Sequence, residues 1–171
     1  MAPRHVRPTL LGICLAFLAA APALAQGQSK PIAQFGDWSV YVSTGNPKTC
    51  YAISQPKTRA PAGLNRDPAY FFISTRPGEK VKEEVSITVG YPMRADSEAT
   101  VKVGSLSLQL YTKDQGAWVR NVSDEARLVT AMRGGKDLVF TGTSGRGNVT
   151  TDTYSLNGIS AALDRAAREC R

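Results

Sequence analysis

Apolar and polar residues alternate along most of the chain, in short runs separated by clusters of turn-forming residues. The run FGDWSVYVS (35–43) shows this best, because Trp38, Val40 and Val42 fall on one face of an extended strand. Further runs of this kind are TCYAISQ (49–55), AYFFISTR (69–76), EEVSITVGYP (83–92), TVKVGSLSLQLYT (100–112), AWVRN (117–121), KDLVFTGTS (136–144) and NVTTDTYSLNG (148–158). Turn clusters join them at the spacing of a sandwich or barrel, and we favour a β-sandwich.

Two segments have a helical period instead. SDEARLVTAMRGG (123–135) begins with Ser123 as the expected N-cap, carries an apolar stripe that includes Leu128 and Met132, and ends at Gly134. ISAALDRAAREC (159–170) places its apolar residues and Cys170 on one helical face. The sequence therefore predicts a mainly β domain with two short helices.

Two loops attract attention for different reasons. The segment at 56–68 is rich in proline and has no period, and loops of this length in a compact domain are often functional or mobile. The stretch TGTSGRGNVT (141–150) spaces Gly142 and Gly147 as a phosphate-binding loop does. However, Asn148 and Val149 stand where that motif needs Lys and Ser or Thr. We therefore predict a hairpin there, with Arg146 at its tip.

The first 25 residues have the pattern of a secretory signal peptide. A basic start with Arg4 and Arg7 precedes an apolar run, and the small-x-small ending places cleavage between Ala25 and Gln26. The apolar run is shorter than the roughly 20 residues that a membrane-spanning helix needs, and no later run is long enough. We expect a flexible segment at 26–34, a single domain at 35–171, and a mature protein in the periplasm, on the envelope or secreted.

Removal of the signal peptide would change the available chemistry. It takes away His5 and Cys14, which leaves a histidine-free chain with Cys50 and Cys170. Such a chain has no imidazole for a catalytic triad or a zinc site, so we expect no catalytic centre, no metal and no cofactor. In an exported chain an even pair of cysteines indicates a disulfide, here closing a loop of more than a hundred residues.

The charge of the chain is only mildly basic. The formal net charge of +7 falls to +5 once Arg4 and Arg7 leave with the signal peptide. The remaining basic residues are scattered, so we expect no nucleic-acid partner and at most weak attraction to anionic surfaces.

The remaining candidates concern binding rather than catalysis. Seven aromatic residues are candidates to line a face that binds sugar or protein, although Trp38 is expected in the core: Trp38, Tyr41, Tyr51, Tyr70, Tyr91, Trp118 and Tyr154. The predicted binding surface comprises Arg146, Asp152, Tyr154 and Trp118. One alternative is a histidine-independent hydrolase that uses carboxylates, with Asp152 beside Arg146 as an anion clamp. Another is an assembly factor or chaperone that uses an exposed sheet edge.

Several segments have, in this order, the wording of a known family. They are FGDWSVY, TCYAISQ, RPGEKVKEEVSITVGYP, LYTKDQGAWV, LVTAMRGGKDLVFTGTSGRG and TTDTYSLNGISAAL. Together they resemble the invasion-associated locus B (IalB) family of exported bacterial proteins over essentially the whole expected domain. The family's signature lies in this order and wording rather than in a set of catalytic residues.

The resemblance implies an immunoglobulin-like β-sandwich and a periplasmic or envelope location in Gram-negative bacteria. For some members it implies a part in host-cell invasion. Cys50 and Cys170 match positions where members place paired cysteines. We therefore expect a non-enzymatic exported protein that binds an envelope or host-surface protein or glycan.

Overall fold

The computed structural model describes residues 28–171, which form eleven strands and two helices. The strands are β1 (Ser29–Phe35), β2 (Trp38–Ser43), β3 (Thr49–Ser54), β4 (Thr58–Ala60), β5 (Tyr70–Arg76), β6 (Val81–Thr88), β7 (Glu98–Val103), β8 (Leu106–Lys113), β9 (Gly116–Val119), β10 (Asp137–Thr143) and β11 (Val149–Ser155). The helices are α1 (Val122–Gly134) and α2 (Ile159–Glu169). The expected signal peptide and its cleavage site at Ala25 and Gln26 lie outside the described residues.

All eleven strands belong to one antiparallel sheet in the order β1-β2-β3-β5-β6-β9-β8-β7-β10-β11-β4. The sheet folds over, so that β11 faces β2 and β5. The indole Nε1 of Trp38 donates to the carbonyl of Ser155 at 2.9 Å, and the rings of Phe71 and Tyr154 meet at 5.4 Å between centroids. The prediction of a mainly β, immunoglobulin-like sandwich with two short helices is confirmed.

The alternation of the sequence sets which side chains form the core. In β2, Trp38, Val40 and Val42 are buried while the residues between them are partly exposed, as predicted. The same period of two recurs in β3, β10 and β11. Burial of each large apolar side chain contributes about 1.5–3 kcal/mol, which favours this register over a shift by one residue.

The prediction of a flexible segment at 26–34 is wrong for most of its length. Ser29–Phe35 form β1, which pairs with β2 and is joined to it by a tight turn at Gly36 and Asp37. The local pattern gave little sign of this strand because its side chains bury little surface. Its hydrogen bonds to β2 define it instead, so tertiary pairing overrides a weak local preference.

The segment at 56–68 is also more ordered than its sequence indicates. Thr58–Ala60 form β4, which pairs with β11 at the far edge of the sheet. Three residues are too few for a period of two to be recognised in the sequence.

Helix α1 begins two residues earlier than predicted. Asn121, rather than Ser123, is the N-cap, and its side-chain oxygen accepts from the backbone N–H of Asp124 at 2.9 Å. The hydroxyl of Ser123 donates to the same oxygen at 2.7 Å. The predicted apolar stripe is confirmed, since Leu128, Val129 and Met132 are all buried.

The predicted disulfide between Cys50 and Cys170 is confirmed, with the two Cα atoms 5.9 Å apart. It joins β3 to the end of α2, whose buried face includes Ile159, Leu163 and Ala166. The bridge spans 120 residues of sequence. Within residues 28–171, no helix has both the length and the apolar character that a membrane crossing requires.

Candidate functional site

The outward side of the sheet carries a row of residues in register across six strands. Starting at β2 and ending at β8, the paired positions are Ser39, Ile53, Phe72, Ser86, Trp118 and Tyr111. Each of these strands buries the alternate residues in the core, so the row points away from it. Three of the six side chains are aromatic, and Tyr111 is 39% exposed.

Further tyrosines flank this row at its β2 end. Tyr41 pairs with Tyr51 across the strands, and their rings stack with 5.4 Å between centroids and 5° between planes. Tyr51 and Tyr70 both lie against Phe72, at 5.9 and 6.1 Å between centroids. We call the resulting surface the aromatic face. It comprises Tyr41, Tyr51, Tyr70, Phe72, Tyr111 and Trp118.

At the β8 end, Trp118 and Tyr111 stack with 5.5 Å between centroids. The guanidinium carbon of Arg120 lies 5.9 Å from the centroid of the Tyr111 ring, within the range of a cation–π contact. A Cβ atom on Gly116 would collide with the indole of Trp118. Glycine at 116 therefore allows the indole to lie close against the backbone of its own strand.

A cavity of about 410 Å³ adjoins the aromatic face at Tyr41 and Tyr70. There the ammonium of Lys57 lies 2.6 Å from the carboxylate of Asp37, and this hydrogen bond lowers the pKa of Asp37. Ser54 and Lys57 are spaced as in a serine–lysine dyad. However, the Ser54 hydroxyl donates to the Asp37 carbonyl at 2.7 Å, so both side chains bond to Asp37 rather than to each other.

A second cavity of about 430 Å³ lies between the 64–67 loop, residues 90–92 and the tip of the β10–β11 hairpin. The hairpin predicted from the glycines of 141–150 is confirmed. Arg66, Tyr91 and Arg146 line this space, which we call the arginine cavity. Arg146 is exposed, as predicted.

Asp152 lies beneath the arginine cavity with only 1% of its surface exposed. Its carboxylate contacts the Nε of Arg59 at 3.3 Å and the Nη1 of Arg66 at 3.4 Å. Burial raises the pKa of Asp152, while the two guanidinium groups act in the opposite direction. Two cations therefore surround one buried carboxylate.

The two arginines also fix the loop that follows β4. Arg59 donates to the carbonyls of Asp67 at 2.8 Å and Val89 at 2.7 Å, and Arg66 donates to the carbonyl of Pro61 at 3.1 Å. The backbone N–H of Asp67 donates to the carbonyl of Gly90 at 2.9 Å. The 61–68 segment is thus bonded to the end of β6.

The predicted binding surface of Arg146, Asp152, Tyr154 and Trp118 is wrong as a single surface. Asp152 is buried, and Tyr154 is fully buried in the core, where burial raises the pKa of its hydroxyl. That hydroxyl has no hydrogen-bond partner among the described residues. Arg146 lies at the arginine cavity, whereas Trp118 belongs to the aromatic face. Asp152 occupies an inward-facing position of β11, where a charged side chain is seldom found.

The geometry bears on both alternatives. Asp152 contacts two arginines, not a second carboxylate at the separation that glycoside hydrolysis requires. Among residues 28–171, no three His, Cys, Asp or Glu side chains converge as a metal site. The edge strand β1 carries Pro31 and a register shift between Pro31 and Ala33, and both features interrupt pairing with an added strand.

Part of each site can be predicted from the sequence. The sequence predicts Tyr41, Tyr51, Tyr70 and Trp118, but not Phe72 and Tyr111, because only the strand register brings these two beside the others. It does not predict Arg59 and Arg66, because the segment at 56–68 has no periodic pattern. The pairing of Asp152 with Arg59 depends on the contact between β4 and β11, which the local sequence does not predict.

Comparison with known proteins agrees with the resemblance seen in the sequence. Residues 38–167 match the family model described as invasion-associated locus B (IalB) protein. The fold is similar to a crystal structure of invasion-associated protein B from Bartonella henselae, with a TM-score of 0.58 and 18% sequence identity. The similarity covers 83% of this chain and 97% of that one. No curated protein matches the sequence.

Proposed function

The chain belongs to the invasion-associated locus B family, and from this membership we propose that it is an exported, non-enzymatic envelope protein that binds another protein. The binding surface in this proposal is the aromatic face, and the partner is a protein of the envelope or of a host-cell surface. The observation that carries the proposal is the row of outward side chains in register across six strands.

The extent of the aromatic face suits a protein partner. Six neighbouring strands at about 4.8 Å spacing span roughly 24 Å. A patch of that width is comparable in extent with the roughly 800 Å² that each partner buries in a standard protein interface. Tyrosine and tryptophan are the side chains that most often carry the binding energy of such interfaces.

The arrangement of the rings favours protein over glycan. Tyr41 and Tyr51 stack on one another, and Trp118 stacks on Tyr111. Each stacked pair therefore uses one face of each ring within the pair, and its edges and tyrosine hydroxyls stay available for a partner. Sugar stacking needs free ring faces, whereas protein interfaces use the apolar body and polar tip of tyrosine together.

Charged groups border the aromatic face at both ends. Asp37 and Lys57 pair near Tyr41, and Arg120 pairs with Glu98 at 2.6 Å beside Tyr111. An apolar centre with a charged rim is the usual anatomy of a specific protein interface. The rim pairs are exposed, so we assign them to specificity and association rate rather than to affinity.

Export is supported by two features of the chain. The first 25 residues have a signal-peptide pattern, and the domain contains a disulfide, which forms and persists in oxidising compartments. The non-enzymatic part of the proposal is supported by Asp152, the carboxylate on which the hydrolase alternative relies, because two arginines engage it. Because the family is named for invasion, we include the host-cell surface among the places where the partner is sought.

A binding assay with a matched control tests this proposal. Purified mature protein is titrated onto envelope membranes and onto intact host cells, each with and without prior protease treatment. We expect saturable binding that protease abolishes. The double variant Tyr41→Ser, Trp118→Ser should lower the affinity at least about thirtyfold, because it removes one aromatic contact at each end of the face.

The control variant is Val149→Ser, which removes a side chain that is 62% exposed on β11, in the layer opposite the aromatic face. It should bind as the wild type does. Equal loss in both variants would contradict the assignment of the surface. Binding that survives protease but not glycosidase treatment would instead identify a glycan partner.

A further inference from the structure

The arginine cavity contains chemistry that the proposed function does not use. Arg66 is one of its walls, and only 6% of the Arg66 side chain is exposed. Two of the five guanidinium N–H groups are used, one toward Asp152 and one toward the carbonyl of Pro61. The other three N–H groups have no hydrogen-bond partner among the described residues. A buried, oriented guanidinium with free donors is suited to receiving an acceptor.

The charge around the cavity is positive. Arg59, Arg66 and Arg146 stand against the carboxylates of Asp152 and Asp67, which leaves a surplus of one positive charge. Arg146, at the hairpin tip, forms no ion pair within residues 28–171, and it faces the mouth of the same cavity. A cleft with low-dielectric walls concentrates such a field and attracts anions.

Neutral donors complete the lining. The side chains of Asn65, Gln115 and Asn148 border the cavity and each can donate through its amide. The hydroxyls of Tyr91 and Thr150 are already committed, because Thr150 donates to the carbonyl of Gly142 at 3.3 Å and accepts from Tyr91, so the amides are the neutral donors of the lining. A volume of about 430 Å³ lies within the range of small-molecule sites.

We propose that the arginine cavity binds the oxyanion group of a small molecule, a carboxylate or a phosphate, between Arg66 and Arg146. The planar guanidinium matches either oxyanion through two parallel N–H bonds. Asp152 and Pro61 hold Arg66 in place, so little side-chain freedom is lost when the anion binds. The hairpin carries an arginine and lacks the lysine of a nucleotide-binding loop. The proposed ligand is therefore a small oxyanion and need not be a nucleotide.

This site is separate from the aromatic face and shares none of the residues that define it. Its occupancy can therefore be measured without knowledge of the protein partner, and failure of one proposal leaves the other intact.

Isothermal titration at low ionic strength tests the proposal with three probes: inorganic phosphate, glucuronate and uncharged glucose. We expect saturable binding of phosphate or glucuronate, and the two arms decide which oxyanion is preferred. Glucose should not bind. Arg146→Gln removes an exposed side chain without a described ion pair, so the fold should persist while the anion affinity falls at least about tenfold.

The matched control is Arg168→Gln on the exposed side of α2, which removes the same charge away from the cavity. Its affinity should stay within about twofold of wild type. The proposal is overturned if neither anion binds saturably to the wild type. It is equally overturned if Arg168→Gln weakens binding as much as Arg146→Gln, because the attraction would then come from net charge alone.

Discussion

At the scale of single residues, the buried cluster of Asp152, Arg59 and Arg66 has the largest consequence. The carboxylate is taken out of water, and its two partners lie at 3.3 and 3.4 Å. Removing one partner of a buried ion pair is costly because the remaining charge stays buried. This cluster holds the 61–68 segment against the end of β6, and its Arg66 lines the arginine cavity.

Arg59→Gln should destabilise the protein at neutral pH by roughly 2–3 kcal/mol, because it leaves the buried Asp152 carboxylate with one cation instead of two. Loss of one partner of a fully buried pair costs more, but Arg59 is 22% exposed and water screens part of its charge. Urea unfolding of the two proteins measures this difference. A variant as stable as the wild type would mean that the buried carboxylate of Asp152 does not depend on Arg59.

Wild type and Asp152→Asn should differ in stability with a pH dependence of a defined sign. Because burial raises the pKa of Asp152, the folded state binds this proton more tightly than the unfolded state does. The free energy of unfolding should therefore fall as pH rises above the ordinary value of 3.8 through the raised pKa. The asparagine variant lacks this component, so the free energy of unfolding of the wild type, relative to that of the variant, should increase as pH is lowered through that window. A relative decrease would give the pKa shift the opposite sign.

At the scale of elements, the sequence predicts best where burial alone defines the structure. The alternation of Trp38, Val40 and Val42 predicts β2, and the stripe of Leu128 and Met132 predicts α1. The strands β1 and β4 bury little and exist because a neighbour pairs with them. The same reasoning found Tyr41 and Trp118 but not Arg59 and Arg66, whose partners are distant in sequence.

The loop that carries Arg66 depends on the backbone at Gly90. Gly90 has φ of +75°, and a Cβ there would collide with the carbonyl of Asp67. Gly90→Ala should therefore lower the free energy of unfolding by at least about 2 kcal/mol more than Gly63→Ala. Gly63 has φ of +77° but has no atom near its Cβ position, so it isolates the backbone strain. Denaturant unfolding of both variants measures the difference, and equal losses would contradict the close approach.

The bridge between β3 and α2 should matter through the long loop that it closes. With a sequence separation of 120 between the cysteines, the chain-entropy model gives about 4–5 kcal/mol. The double variant Cys50→Ala, Cys170→Ala should lose about that much stability and exchange the amides of α2 faster. A thiol assay on the unfolded, unreduced wild type should find no free thiol, whereas two labelled thiols would refute the bridge.

At the scale of the whole molecule, the sandwich separates its two candidate sites. The inward side of the sheet is apolar and closes around the core, whereas the outward side of one layer carries the aromatic face. The arginine cavity lies where loops 64–67 and 90–92 meet the β10–β11 hairpin. One domain can therefore bind a protein across the sheet while its loops bind a small anion.

The central claim, that the aromatic face meets a protein partner, is tested most directly by site-specific photo-crosslinking in living cells. A crosslinking residue at position 86 replaces Ser86 in the middle of the in-register row, and a second protein carries it in place of Thr141 on β10 of the opposite layer. We predict a discrete, protease-sensitive crosslinked species from position 86 and none from position 141. The same species from both positions, or none from position 86 when the protein is correctly exported, would contradict the account.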